Sequence, residues 1–168
     1  MIDERRLEGV TVRDMPGATL HQVRTAAQQH KRRHGLPMLV VDLAGRVRPP
    51  PGRRFEREHE ELTAISRGLQ ELSGKLRTHL IACVQVNRAV FLNTDKRPGL
   101  EHLKGSGSWE EDADHVIFIH RLALMGVKND FRTEIIFAKD RIAGNTGSVF
   151  LVYNVNTGQY EPAERQGE

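Results

Sequence analysis

Hydrophobic residues recur with two different periods along the chain, and the period predicts where helices and strands lie. Apolar residues spaced three and four apart over 62–76 predict a long amphipathic helix. Thr19, with Gln22 three residues on, predicts a capping box at the start of an earlier helix, which Gly35 ends. Apolar runs predict strands at 38–41, 79–84, 115–120, 133–139 and 148–153.

The order of these elements predicts an α/β fold, because early strands alternate with helices. The run MLVV at 38–41 has no polar position, which is typical of a strand buried on both faces of a parallel sheet. The last two strands are joined by the turn-rich stretch DRIAGNTG, which predicts a hairpin. We therefore expect a mostly parallel sheet with a C-terminal antiparallel strand pair, flanked by helices. Residues 1–18 are expected to form a turn-rich extension, 19–160 the domain, and 161–168 a polar, frayed tail.

Composition narrows the class of protein without identifying a partner. A chain of 168 residues with 38% hydrophobic and 28% charged residues is ordinary for one globular domain. No apolar run reaches the roughly 18–20 residues that span a bilayer, and the N-terminus does not resemble a signal peptide. One cysteine, Cys83, cannot form an internal disulfide, so we expect a cytoplasmic protein with no membrane partner. The net charge is +3, and arginines cluster in one loop, where they suit either phosphate contacts or a solvated surface: Arg46, Arg48, Arg53, Arg54 and Arg57.

Two polar residues follow predicted strands, where ligands bind in open parallel sheets. A carboxylate at Asp42 could hold Mg²⁺ opposite bound phosphates, although strand-end aspartates are also common turn formers. The amide of Gln85 could sense a phosphate or an attacking water, although a polar residue at a strand end is unremarkable by itself.

Two further segments carry candidate phosphate contacts. Lys139 and Arg141 are two residues apart at a strand end, so their side chains should leave one face together. Two such cations suit a γ-phosphate, or simply a sheet edge protected against aggregation. The stretch LKGSGS at 103–108 is a glycine-rich loop that either grips phosphates through backbone N–H groups or only connects elements. The acidic residues of the following helical segment, 110–114, are interpreted as early-turn residues favoured by the helix dipole.

Taken in order, these segments resemble the C-terminal RecA-like motor domain of DnaB-type hexameric replicative helicases over about residues 10–153. VRDMPGATLHQVRTAAQQHKRRHG resembles the DDTPG turn and helix of that family, LVVDL its Walker B strand, and CVQVNR its SQLNR segment. The longest similar stretch is DKRPGLEHLKGSGSWEEDADHVIFIHR, residues 95–121. AKDRIAGNTGSVFLVYN resembles the terminal K-x-R-x-G-x-x-G strand pair.

The resemblance implies an incomplete RecA-like sheet, ATP and Mg²⁺ as cofactors, and a role for each matching position. Asp42 would be the Walker B carboxylate acting on Mg²⁺, and Gln85 would couple the γ-phosphate to DNA. Lys139 and Arg141 would act in trans on the nucleotide of an adjacent subunit. The residues that would lie along single-stranded DNA are Lys104, Gly105 and Gly107, with Arg48, Arg53 and Arg54 nearby.

The chain departs from the family pattern at the nucleotide site. The P-loop motif G-x-x-x-x-G-K-[ST] occurs nowhere in the 168 residues, and the family's catalytic glutamate is also missing. The Gly74–Lys75 pair lies inside a predicted helix and precedes Leu76 instead of Ser or Thr. Because the P-loop and the glutamate are missing, binding of ATP by this chain alone is not expected. In the loop that would hold DNA, Lys104 replaces the family's arginine, and Gly105 replaces its glutamate.

Three functions remain open at this point. The first is the C-terminal part of a helicase motor, inactive as an ATPase alone, with single-stranded DNA, other ring subunits and a separately encoded P-loop half as partners. It would work at the nucleoid or in a phage replication complex. The second is a non-enzymatic DNA-binding or ring-interface module, and the third is a decayed prophage helicase remnant.

Overall fold

The computed structural model describes residues 3–7, 9–49, 52, 55–92, 95–103, 106–121 and 131–163. The chain divides into two compact units, residues 1–85 and 86–168. Within the described ranges, no helix combines the length and the apolar character that a membrane crossing requires. Four of the predicted DNA contacts lie outside the described residues: Arg53, Arg54, Lys104 and Gly105.

The first unit opens with a hairpin that the sequence analysis did not predict. Strand β1 (Asp3–Leu7) pairs antiparallel with β2 (Val10–Asp14), and Gly9 between them has φ +72°. Val10, Thr11 and Val12 are three consecutive β-branched residues, which favour a strand. The expected extension at 1–18 is thus largely a β-hairpin.

Two helices of this unit follow their sequence patterns closely. Helix α1 (Leu20–His34) has the predicted capping box, since Thr19 N–H donates to Gln22 Oε1 at 2.8 Å and Gln22 N–H donates to Thr19 Oγ1 at 3.3 Å. Helix α2 (Glu58–Leu76) buries its apolar stripe, including Ile65, Leu69 and Leu72. Gly74 and Lys75 lie within α2, which confirms that they form no P-loop.

The two remaining strands form a parallel pair with one open face. Strands β3 (Met38–Val41) and β4 (His79–Ala82) pair in register, with Val40 opposite Ile81. Helix α2 packs against β4, but Met38, Val40 and Ile81 are 51%, 55% and 46% exposed. The prediction that 38–41 is buried on both faces is therefore wrong, because nothing in the described residues covers the second face.

A glycine allows α1 and α2 to pack closely. A Cβ on Gly68 would overlap Leu20, whose side chain is 5% exposed, whereas a Cβ on Gly74 of the same helix would contact nothing within 4 Å. We expect Gly68→Ala to lower the free energy of unfolding of the first unit by about 1–3 kcal/mol through overpacking. Gly74→Ala should raise it by about 0.5–1 kcal/mol through helix propensity. Urea unfolding followed by circular dichroism of the helices measures both, and shifts in the same direction would contradict the packing argument.

The second unit is built on an antiparallel sheet. Its strands β5 (His115–Arg121), β6 (Arg132–Asp140), β7 (Gly147–Asn154) and β8 (Gln159–Pro162) lie in sequence order, preceded by the short helix α3 (Ser106–Asp112). The predicted hairpin at 140–147 joins β6 to β7. The α/β class with parallel strands and C-terminal antiparallel strands is confirmed. Among the described strands, however, only β3 and β4 pair parallel, and the antiparallel part is a four-stranded sheet instead of the expected pair. Glu161 and Pro162 lie in β8 instead of in a frayed tail.

Short 3-10 turns complete the described chain at Ala44–Arg46, Arg88–Leu92 and Leu100–His102.

This sheet also has one apolar face that is open. Side chains alternate along β5, so that Val116, Phe118 and His120 are buried while the residues between them are exposed. The exposed residues adjoin apolar neighbours across the strands, with Ile119 opposite Ile135, which in turn lies opposite Val149. We define the open apolar face as Ile117, Ile119, Phe137 and Val149, which are 52%, 68%, 41% and 51% exposed.

Candidate functional site

The carboxyl ends of β3 and β4 bring Asp42 beside Cys83. Backbone pairing continues past the strands, because Cys83 N–H donates to the Val41 carbonyl at 3.0 Å and Ala44 N–H donates to the Cys83 carbonyl at 2.8 Å. Burial raises the pKa of the Cys83 thiol, and the negative charge of Asp42 raises it further. Asp42 is itself exposed, so its carboxylate is open to a cation from solution.

Gln85 lies on the same edge of the parallel pair, but further from its strand than expected. Strand β4 ends at Ala82, so Gln85 stands three residues beyond the strand, where it is exposed. Because the carboxyl ends of parallel strands lie at one edge of a sheet, Asp42 and Gln85 both come after the strand ends at the same edge of the β3–β4 pair. Their roles toward a nucleotide stay predictions.

This edge fits Mg²⁺ better than it fits a whole nucleotide. The described residues hold no group of three or more His, Cys, Asp or Glu that could enclose a metal. Mg²⁺ is commonly held by one or two carboxylates together with substrate phosphates and water. Asp42 alone can therefore supply the protein ligand of such an ion. The phosphates need a cradle of backbone N–H groups, and the 168 residues contain no P-loop motif to supply it. The exposed carboxylate of Asp42 therefore fits the protein's part of a Mg²⁺ site, and whether the chain binds ATP by itself stays a prediction.

Arg48 is fixed beside the Pro16–Gly17 turn. Arg48 N–H donates to the Ala18 carbonyl at 2.8 Å, and Leu20 N–H donates to the Arg48 carbonyl at 2.9 Å. The guanidinium lies against Gly17, where an added Cβ would come within 3.2 Å of Nη2. Arg48 is exposed, so it is a cation available to a phosphate, and its contact with DNA stays a prediction.

Lys139 and Arg141 both donate to the carboxyl end of α3. Lys139 Nζ donates to the Glu110 carbonyl, and Arg141 Nη2 donates to the Glu111 carbonyl. Arg141 Nη1 also donates to Asp114 Oδ1 at 3.1 Å, and the Arg141 N–H donates to the Asp114 carbonyl at 2.8 Å. The two cations thus meet at one helix end, although Arg141 lies one residue beyond β6, and their role toward a phosphate stays a prediction.

A β-bulge lies directly before these cations. Val116 pairs with Lys139 while Ile117 pairs with Phe137, so Ala138 is the extra residue of β6. Bulges re-aim the side chains that follow them and are common beside functional sites. The direction of Lys139 is therefore set by this irregularity and not by simple strand alternation.

The acidic residues of α3 lie at the opposite end of the helix from the one predicted. Glu110, Glu111 and Asp112 occupy the last turn, and the first turn holds no acidic residue. The interpretation that the helix dipole favours these acidic residues is therefore wrong, because carboxylates are disfavoured at the carboxyl end of a helix and cations are favoured there. Gly107 lies inside α3, exposed, instead of in the preceding loop, and its contact with DNA stays a prediction.

A partly buried ion pair in the second unit was not predicted from the sequence. Arg97 donates through Nε and Nη2 to the Glu134 carboxylate at 2.9–3.2 Å, and the Glu134 side chain is 9% exposed. Burial alone would raise the pKa of Glu134, but hydrogen bonds from Arg97 and Ser148 and the charge of Arg97 outweigh it and lower the pKa. His120 Nδ1 lies 3.5 Å from Glu134 Oε2. The sequence feature that could have indicated this ion pair is Glu134, a charged residue inside the otherwise apolar run TEIIFA.

Comparison with known proteins identifies the family that the arrangement resembles. The family model described as DnaB-like helicase C terminal domain matches residues 2–162. The replicative DNA helicase DnaC of Bacillus subtilis is 31% identical over 160 residues, and the replicative DNA helicase DnaB of Geobacillus stearothermophilus is 32% identical over 160 residues. Each alignment covers 94% of this chain and 35% of the relative, so the chain spans about a third of the curated relatives it matches.

Solved structures agree with this similarity. A DnaB-like replicative helicase, solved in a study of its interactions with primase, has a TM-score of 0.78 and 27% identity, with 90% of this chain and 36% of that chain covered. A second solved structure, described as an ATPase domain, also has a TM-score of 0.78 and 27% identity, with 90% and 54% covered. A large part of each of these structures has no counterpart in the 168 residues.

Proposed function

Because the chain belongs to the DnaB-like helicase C-terminal domain family, we propose that it forms the DNA-facing and trans-acting part of an ATP-dependent replicative helicase motor. The observation that carries this proposal is the arrangement at α3. One short helix follows the candidate DNA loop at its amino end and holds Lys139 and Arg141 at its carboxyl end. Helix α3 thereby contains or contacts residues proposed for both functions of such a motor, the binding of DNA and the action on the nucleotide of a neighbouring subunit.

Each candidate residue has a part in this function. Asp42 holds Mg²⁺, and Gln85 responds to the γ-phosphate from the same strand edge. Lys139 and Arg141 neutralise phosphate charge on the nucleotide of an adjacent ring subunit. The contacts along the single-stranded DNA backbone come from Lys104, Gly105, Gly107, Arg48, Arg53 and Arg54.

Binding of ATP at Asp42 requires a P-loop segment in addition to these 168 residues. Two features support this. One is the missing P-loop motif, and the other is the exposed apolar face of the β3–β4 pair and of the four-stranded sheet, which a further segment of the motor would cover. The other partners are the neighbouring ring subunits and single-stranded DNA. The site of action is the cytoplasm, at the nucleoid or in a phage replication complex.

Single-stranded DNA binding tests the proposal. We expect the 168-residue chain to bind a fluorescent oligothymidylate, with an affinity that falls as salt rises. Lys104→Ala should weaken binding by about 5-fold and reduce the slope of log affinity against log salt by about 0.7, because one phosphate contact is lost. Lys75→Ala is the matched control, since Lys75 is an exposed lysine paired with Glu71 on α2.

Two outcomes would count against the proposal. One is equal binding by Lys104→Ala and Lys75→Ala, because charge alone would then explain the affinity. The other is DNA-stimulated ATP hydrolysis by the 168-residue chain, because the nucleotide site would then be complete without a P-loop segment.

A further inference from the structure

A group of cations lies where α1 and α2 end. Lys31, Arg32 and Arg33 occupy the last turn of α1, and Arg77 is the C-cap of α2. Lys31 Nζ donates to the Leu76 carbonyl, so the two helix ends are in contact. The cleft between them has a volume of about 400 Å³ and is lined by Gln28, Lys31, Arg32 and Leu76. We define the basic edge as Lys31, Arg32, Arg33 and Arg77.

The basic edge has no acidic residues of its own. The two segments that form it, 28–37 and 73–79, contain no Asp or Glu. The last glutamate of α2, Glu71, is paired with Lys75 at 3.0 Å. The three arginines of the basic edge are exposed, and no carboxylate among the described residues forms an ion pair with them. A surface of this kind attracts a polyanion.

Helix dipoles alone do not account for the basic edge. The carboxyl end of a helix carries about half a negative charge, so the two helix ends favour cations but do not neutralise four of them. Arg77 in addition has φ +45°, in the left-handed region where glycine is the ordinary residue at a helix end. A residue with a side chain is held in this conformation at a cost, and such positions are common at functional sites. A binding role therefore explains the arginine at position 77 better than a structural role does.

The basic edge is distant from the candidate nucleotide edge. Strands β3 and β4 begin beside the basic edge, whereas Asp42 and Gln85 follow their carboxyl ends, and four strand residues span about 13 Å. At the other end of α1, Leu20 N–H donates to the Arg48 carbonyl, and the last turn of α1 lies roughly 20 Å further along the helix axis. A ligand of the basic edge is therefore not the nucleotide or the DNA contact proposed for Arg48.

We propose that the basic edge binds the phosphate backbone of double-stranded DNA. Arginine suits phosphate because its planar guanidinium donates two parallel hydrogen bonds. Proteins that hold a single strand stack its bases on aromatic side chains, and segments 28–37 and 73–79 contain no Phe, Trp or Tyr. Acidic protein segments are also commonly anchored by aromatic contacts. Duplex DNA requires no such contact, because its bases are stacked inside and it presents one negative charge per roughly 1.7 Å of its axis.

Binding of a short fluorescent DNA duplex to the 168-residue chain tests the inference. We expect Arg32→Ala to weaken duplex binding by about 5-fold and to reduce the slope of log affinity against log salt by about 0.9, because one phosphate contact is lost. Arg67→Ala is the matched control and should bind as the parent chain does, since Arg67 is an exposed arginine about 14 Å before the end of α2. Unlabelled oligothymidylate should displace the duplex far less effectively than unlabelled duplex does.

Arg77 separates binding from stability. Arg77→Gly removes the charge and relieves the left-handed backbone, so the first unit should unfold at a higher urea concentration while duplex affinity falls by about 5-fold. Arg77→Lys keeps the charge and should retain duplex affinity within about 2-fold. Circular dichroism of the helices measures the unfolding. A parallel loss of stability and affinity in Arg77→Gly would overturn the binding role of Arg77, since a structural role moves both in the same direction.

The remaining outcomes distinguish this inference from the proposed function. No duplex binding by the parent chain would overturn the inference, and single-stranded DNA binding would then still support the proposed function. Equal binding by Arg32→Ala and Arg67→Ala would overturn it as well, because net charge would then explain the affinity. Equal displacement by oligothymidylate and by unlabelled duplex would do the same, because one site would then serve both.

Two further results decide the class of partner. Displacement of the duplex by polyglutamate at lower concentrations than by unlabelled duplex would overturn the assignment to DNA and favour an acidic protein segment. Duplex binding that depends on Arg32, in a chain that does not bind oligothymidylate, would support the inference and overturn the DNA-facing part of the proposed function.

Discussion

Replacing Arg97 with methionine is expected to lower the free energy of unfolding of the second unit by about 2–3 kcal/mol near neutral pH. The substitution keeps an aliphatic side chain but leaves the Glu134 carboxylate, 9% exposed, without its bidentate partner. The cost is set below that of a fully buried pair because the Arg97 side chain is 44% exposed and therefore partly screened by solvent. Trp109 lies in this unit, so its emission during urea unfolding measures the change.

The effect of pH distinguishes an electrostatic cause from a packing cause. The pKa of Glu134 is lowered in the folded chain, so the pair stabilises the fold at pH values above the ordinary carboxyl value of 4.5. That stabilisation is lost as the pH falls through the folded-state pKa, below 4.5. The difference between the parent chain and Arg97→Met should therefore shrink in acid. Arg88→Met, at an exposed arginine of the same unit, should change stability little at any pH. A constant difference between parent and Arg97→Met down to about pH 3 would mean that lost packing, and not the ion pair, explains the effect.

Local patterns were sufficient to predict most elements of the fold. The capping box of Thr19 and Gln22 and the apolar stripe of α2 depend on residues three and four apart, and both are present as predicted. Strands β3 and β5 begin at the predicted residues for the same reason, since strand propensity and alternation are properties of neighbouring residues. The hairpin of β1 and β2 carried the same kind of signal at Val10 and Val12, but its charged neighbours concealed it.

Contacts between distant residues could not be predicted in the same way. Arg97 and Glu134 are 37 residues apart in the chain, and Lys139 and the Glu110 carbonyl are 29 apart. Local patterns therefore indicate which residues carry charge but not which residues they contact. For the same reason, the acidic residues of α3 were predicted in its first turn, although they lie in its last turn. Likewise, MLVV predicts an apolar strand, but whether both faces are covered depends on what packs against Met38 and Val40.

Self-association through the open apolar face is the second large effect that we expect. Ile117, Ile119, Phe137 and Val149 adjoin one another across three strands, and contiguous exposed apolar surface favours association. Ile119→Glu should weaken self-association by about 10- to 100-fold, because a charge replaces an isoleucine side chain whose burial contributes about 1.5–3 kcal/mol. Sedimentation velocity over a range of concentrations measures the change.

Leu92→Glu is the matched control for this substitution. Leu92 is 87% exposed and lies in the Arg88–Leu92 turn, outside the open apolar face, so the same change of charge should leave association unaltered. Equal effects of the two variants would mean that net charge, not the sheet face, governs association. A parent chain that remains monomeric at all concentrations would contradict the prediction. It would also weaken the case for a further motor segment, because the open apolar face would then be stable in water without being covered. If Ile119→Glu instead yields a monomer that still binds single-stranded DNA, the open face and the DNA-facing elements are separable, as expected if the face receives a further segment of the motor and not the DNA.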